Sequence, residues 1–191
     1  TAPCITDPDT TLDACVEEIY QSGHVDEGGY FQYEPGTHFV YGPTHLHIAG
    51  SMVTTATSQL WNRLLRTHLK EPLGLQRLTI YATPSVNNPR ISGGAFASAT
   101  DYGEILTALA GGQLLSPESV AIMARDHTPE GVTLASTPNI TTDERAWHYG
   151  LGCWRECNAS EYTETCDELG VISSPGAFGF YPWWNMKTGV W

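Results

Sequence analysis

Ser173-Ser174-Pro175-Gly176-Ala177-Phe178-Gly179-Phe180-Tyr181-Pro182-Trp183-Trp184 is the stretch whose reading decides the fold. Small residues followed by aromatics suit a strand, expected over Ala177 to Trp184 and entered by a tight turn. Gly176 and Gly179 let the backbone approach a ligand or a second strand closely. The stretch reads as a strand lining a site. Upstream, Trp147 to Trp154 reads as another strand. Downstream, Asn185-Met186-Lys187-Thr188-Gly189 reads as a hairpin turn feeding a strand cut short at Trp191.

Working outward, the N-terminal half carries helical patterns. Thr10 with Asp13 resembles a capping box opening a helix over residues 10–22, with Leu12, Cys15, Val16 and Ile19 on one face and Gly23 at its end. A brief extended stretch ends at Tyr41. Pro43 suits the first turn of the next helix, which carries Leu46, Ile48, Ala49, Met52 and Val53. A further helix from Ser58, with Leu60, Trp61, Leu64, Leu65 and Leu69, stops at Pro72-Leu73-Gly74, and both read as core helices. Residues 83–97 are a loop. Ser98 to Asp101 opens a helix closed by Gly111-Gly112, and Ser116-Pro117-Glu118 opens another reaching Arg125. Residues 127–145 read as polar and irregular. Helices followed by strands predict an α+β architecture.

Composition narrows the function classes. With 41% hydrophobic and 16% charged residues, the chain can build one domain with a sizeable core. No apolar run approaches the roughly 20 residues that a membrane span needs. A net charge of -12, with nine Lys and Arg scattered along the chain, argues against a nucleic-acid partner. His45 and His47, two apart on a helix, point to different faces, so no metal site is expected, and no motif calls for a cofactor.

The five cysteines fall in two groups. Cys4 with Cys15 and Cys157 with Cys166 straddle turn-rich or polar segments, which favours local disulfides over metal ligation and over reduced core cysteines. Cys153 is left over, to be buried, free or paired with a segment outside the chain. Asn139-Ile140-Thr141 and Asn158-Ala159-Ser160 are glycosylation acceptors. Together with the cysteines they predict a secreted glycoprotein, with Thr1 a processed or truncated end.

Four blocks in order carry a family resemblance: Pro35-Gly36-Thr37-x-Phe39-x-Tyr41, Pro72-Leu73-Gly74-Leu75, Asn88-Pro89 through Gly93-Gly94 to Asp101-Tyr102, and Tyr149-Gly150-Leu151-Gly152 followed by Ser173 to Trp183. The chain resembles the serine β-lactamase and penicillin-binding-protein-like hydrolases, in particular their class C-like and esterase-like secreted members. The resemblance implies a partial serine β-lactamase/DD-peptidase-like fold. Residues 1–191 are then one partial domain, the middle and C-terminal part, lacking the N-terminal nucleophile segment and the last strands and helix. A partner polypeptide, or the remainder of the same domain, is expected to complete the sheet.

By the same resemblance Tyr41 is the catalytic tyrosine of a Tyr-x-Asn motif, a proton shuttle whose pKa must be depressed by nearby positive charge. Here Pro43 replaces the Asn. The Ser173 stretch takes the place of the family's Lys-Thr-Gly box, with Ser173, Ser174 and Gly176 as substrate or oxyanion residues. Val171 or Ile172 then stands where the box lysine would be, which argues against antibiotic hydrolysis. No Ser-x-x-Lys nucleophile motif occurs, since Lys70 and Lys187 follow Thr67 and Trp184 at that spacing. The literal Lys187-Thr188-Gly189 follows the box-like strand and reads as chance. Two functions fit: a secreted serine hydrolase acting on a small ester or peptide with its nucleophile outside this chain, or a catalytically inactive relative with a structural, assembly or binding role.

Overall fold

A computed structural model describes residues 2–22, 33–34, 36–77, 83–128, 131–136, 146–176 and 179–191. The chain forms two compact units, one of Thr1–Glu34 with Gly42–Asp101 and one of Pro35–Tyr41 with Tyr102–Trp191.

The first unit is helical. A 3-10 turn, Pro3–Thr6, is bonded through Cys4 to Cys15 of α1 (Leu12–Gln21). The cap is Thr11 and not Thr10, because its hydroxyl takes the N–H of Ala14 three residues on. The carboxylate of Asp13, expected to complete a capping box, instead accepts from Ser51 at 2.6 Å. Leu12, Cys15 and Ile19 turn inward with Cys4 and Ile5. Helix α2 (Thr44–Thr57) reverses its expected facing: Thr44, His47, Gly50 and Ser51 are buried, while Ile48, Met52 and Val53 are exposed. Specific partners explain this. His47 bonds Asn88, Ser51 bonds Asp13, and Gly50 faces Ile91 so closely that a Cβ there would lie 2.8 Å from Ile91 Cγ1. In α3 (Trp61–Leu65) and the π-helical turn Arg66–Lys70 that follows, Leu64 alone is buried, so this is not a core helix either.

Helix α4 (Ala99–Ala110) starts where predicted, with Ser98 Oγ accepting the N–H of Asp101. The Asp101 carboxylate accepts from the N–H groups of Gln76 and Arg77, so it clamps a neighbouring loop. Helix α5 (Pro117–Ala124) is capped by Ser116, with Pro117 in the first turn.

Strands define the second unit. β1 (His38–Val40) pairs in parallel with β2 (Thr133–Ser136), a strand inside the stretch expected to be irregular. An antiparallel sheet has the order β3 (His148–Tyr149), β4 (Trp154–Arg155), β5 (Val171–Ser173), β6 (Trp183–Asn185). Trp147 to Trp154 is therefore a hairpin and not one strand. Gly150 permits the bend, since a Cβ there would meet Met123 O at 2.4 Å, and Gly152 adopts a φ of +77°. Helix α6 (Glu164–Leu169) was not anticipated.

The strand expected over Ala177 to Trp184 is likewise mostly a loop, with Ala177 and Phe178 outside the described residues. The N–H of Ser174 donates to Pro182 O at 3.0 Å and that of Gly176 to Phe180 O at 2.6 Å, closing a hairpin whose arms are β5 and β6. Pro175 and Pro182 have no N–H for a longer ladder. Asn185 to Gly189 is the predicted turn. Asn185 Oδ1 accepts the N–H groups of Lys187 and Thr188, each at 3.0 Å.

Two apolar clusters cover the sheet. Tyr149 and Trp154 pack with Trp147, Cys157, Cys166 and Phe39, whereas Ile172 and Trp184 pack with Val120, Ala124 and Cys153. Burying a ring the size of Trp154, which is 1% exposed, contributes roughly 4–6 kcal/mol by area. Each disulfide closes a short loop and adds about 2–3 kcal/mol in the chain-entropy account. Cys153 is the buried free thiol, pushed up to about 11 by desolvation.

Candidate functional site

The register of the four-stranded sheet decides which side chains share a face. Tyr149 stands opposite Trp154, Trp154 opposite Ser173, and Ser173 opposite Trp183. Directly opposed residues in antiparallel pairs point to the same side, so these four form one row. Phe39 in β1 and Tyr41 just after it both reach this row. Phe39 lies 4.7 Å from Tyr149 and 5.9 Å from Trp154 between ring centroids; Tyr41 lies 6.1 Å and 5.4 Å from the same rings. Trp154 thus has Tyr41 on its ring and Ser173 at its side. Tyr41 and Ser173, distant in sequence, thus each adjoin the same indole.

Their chemistry differs. Ser173 is 4% exposed, and its Oγ has no hydrogen-bond partner among the described residues. A buried hydroxyl left unpaired costs about 1–3 kcal/mol. Ser174 is exposed, but its N–H and that of Gly176 are both taken by the hairpin. Neither amide is free to hold an oxyanion in this arrangement. Burial raises the Tyr41 phenol above its ordinary range, the opposite of the depression that base chemistry needs. Burial, reinforced by Tyr41 and Cys153, raises Tyr149 as well.

Beyond the row, aromatic surface continues along the hairpin. Phe180 meets Tyr102 edge to face at 5.0 Å and Tyr181 donates to Glu156 Oε1 at 2.6 Å, next to the row's own Trp183, which is 41% exposed. Among the described residues no group of His, Cys, Asp and Glu side chains converges as metal ligands do. Asn158 is exposed, and Asn139 lies outside the described residues. Sequence reasoning missed Asp126, His148, Arg155, Tyr162 and Asp167, which form a polar network on the other face of the sheet. His148 Nδ1 lies 2.6 Å from Asp126 Oδ2, and its ring stacks on Tyr162 at 3.8 Å. No spacing signals this network, because it needs the β3–β4 pairing and the unanticipated α6. The polar pair Tyr162 and Asp167, five apart around α6, was the one local trace.

The family model for Beta-lactamase matches residues 28–190. The chain belongs to the beta-lactamase family. Solved structures agree on the fold, that of the serine beta-lactamases and penicillin-binding-protein-like hydrolases. A beta-lactamase from Mycobacterium bovis is 19% identical with a TM-score of 0.66, covering 84% of this chain and 57% of its own. The hydrolase EstCE1, with promiscuous acyltransferase activity, is 16% identical with a TM-score of 0.68, covering 95% and 55%. Simvastatin synthase from Aspergillus terreus, as a LovD6 mutant, is 17% identical with a TM-score of 0.61, covering 97% and 58%. This beta-lactamase family chain spans a little over half the length of those structures. No curated protein sequence matches it.

Proposed function

We propose that the 191 residues are the middle and C-terminal part of a single acyl-transferring hydrolase domain, with the serine nucleophile on a segment outside them. The observation that supports this is that Tyr41 and the residue with the unpartnered hydroxyl, Ser173, both adjoin Trp154. Tyr41 is the proton-transfer group. With its pKa raised it stands as a phenol, and the charge that lowers it comes with the nucleophile segment, whose lysine the family places beside it. Ser173 Oγ is the group available to a substrate carbonyl. The oxyanion role of Ser174 and Gly176 requires their amides to leave Pro182 O and Phe180 O. Neither Val171 nor Ile172, one of which stands in the place of the box lysine, is a cation, and Ile172 faces the other side of the sheet, so small esters or peptides suit the site better than anionic β-lactams. The rest of the domain, or a partner polypeptide, lies along the edges at β3 and β6.

The test is hydrolysis of 4-nitrophenyl butyrate by the complete native protein. Tyr41→Phe should lower kcat by about 10² or more, the usual scale for losing a proton-transfer group. Full activity in the variant contradicts the role of Tyr41. A second reading, a catalytically inactive relative with a structural or binding role, is favoured by the raised Tyr41 and by Pro43 in place of the family's Asn. It is the reading left if the native protein hydrolyses no ester or peptide.

The two disulfides and the exposed Asn158 also support a secreted glycoprotein. Intact-peptide mass spectrometry on material secreted by a eukaryotic cell should find a glycan on Asn158 or Asn139. Both sites bare contradicts this compartment.

A further inference from the structure

On the face of the sheet opposite Tyr41 and Ser173, Arg155 and Ile172 line a cleft of about 390 Å³. That volume is in the range of small-molecule sites. The cleft lies between α5, α6 and the turn after β6, with an apolar floor that includes Ala124, Ile172 and Met186. Its rim is mainly cationic. The whole chain has nine Lys and Arg against 21 Asp and Glu, yet Arg125, Arg155 and Lys187 all line this cleft, with Asp167 the one carboxylate.

Arg155 and Asp167 offset each other. Arg155 pairs with Asp167, donates through Nε to Tyr162 Oη at 2.8 Å and donates to Ala124 O at the end of α5. Tyr162 donates to the same carboxylate oxygen at 2.6 Å. Arg125 and Lys187 are exposed and form no ion pair with the described residues. Lys187 is also positioned. Gly170 gives its stem room, since a Cβ at Gly170 would come within 3.0 Å of Lys187 Cγ. Two uncompensated cations over an apolar floor, on a molecule of charge -12, select a ligand with one anionic end and an apolar body.

We infer that this cleft binds an amphipathic monocarboxylate of the short fatty-acid type, with its carboxylate between Arg125 and Lys187 and its chain against Ala124, Ile172 and Met186. The inference is independent of any reaction at Tyr41. Isothermal titration of the complete native protein with sodium octanoate at low ionic strength tests it. We expect saturable binding at one site, weakened roughly tenfold in Arg125→Ala/Lys187→Ala, on the scale of two exposed charge contacts. Ala121→Phe, which fills the cleft from α5, should weaken it too. 1-Octanol should bind about tenfold more weakly than octanoate. No saturable binding, affinity unchanged in both variants, or octanol binding as tightly as octanoate would overturn the inference. So would a loss that follows Trp183→Ala on the other face instead.

Discussion

At the residue scale, the environments of Tyr41 and His47 show how burial sets chemistry. Tyr41 sits among Tyr149 and Trp154, and burial alone raises its pKa. His47 is fully buried in the first unit. Its Nε2 lies 3.1 Å from Asn88 Oδ1, while Asn88 Nδ2 donates to Cys4 O and Asp7 O. Asn88 must therefore accept from His47, which leaves Nδ1 unprotonated and, among the described residues, unpartnered. Burial lowers the His47 pKa, with the Asn88 bond opposing it. The folded state thus binds the His47 proton less readily than the unfolded chain. Stability linked to His47 is intact above its ordinary pKa of about 6.5 and declines as pH falls below it. The stability gap between native protein and His47→Gln, measured by urea denaturation, should narrow from pH 7 to pH 5. A gap independent of pH contradicts this account.

At the element scale, hydrophobic periodicity located the helices but misassigned the inward face of α2. Leu46, Ile48, Met52 and Val53 look like a core stripe, yet the helix is held by His47, Gly50 and Ser51, whose partners Asn88, Ile91 and Asp13 are distant in sequence. Such pairings leave no periodic signal. Gly50→Ala tests the close approach to Ile91. It should destabilise by about 1–3 kcal/mol through overpacking, and by less in an Ile91→Ala background, where the crowding Cγ1 and Cδ1 are both gone. Equal costs in both backgrounds would rule out the Ile91 contact as the reason Gly50 is required. The strands were legible as composition and illegible as limits. Trp154 and Trp183 read as strand residues, but the bends at Gly150 and Gly152 and the prolines Pro175 and Pro182 shorten the paired segments to two or three residues.

At the scale of the whole molecule, family and fold were readable because their marks are local: Tyr41 after an extended stretch, the Tyr149-Gly150 block and the glycine-aromatic hairpin, all within the region that matches the beta-lactamase family. The disulfide pairs Cys4–Cys15 and Cys157–Cys166 were readable for the same reason, since each closes a short loop. What sequence did not reveal depends on register. The row Tyr149, Trp154, Ser173, Trp183 exists because three strand pairings align, and the cationic cleft behind it exists because α6 and the Asn185 turn fold over the other face. The same row agrees with the proposed supporting role of Ser173: it is buried beside Trp154, and none of the chain's serines has Lys three places on. The most direct measurement is to treat the complete native protein with a fluorophosphonate probe and map the adduct by peptide mass spectrometry. The account predicts the adduct on a serine outside residues 1–191, in a Ser-x-x-Lys sequence; an adduct on Ser173, Ser174 or any other serine within these residues would contradict it.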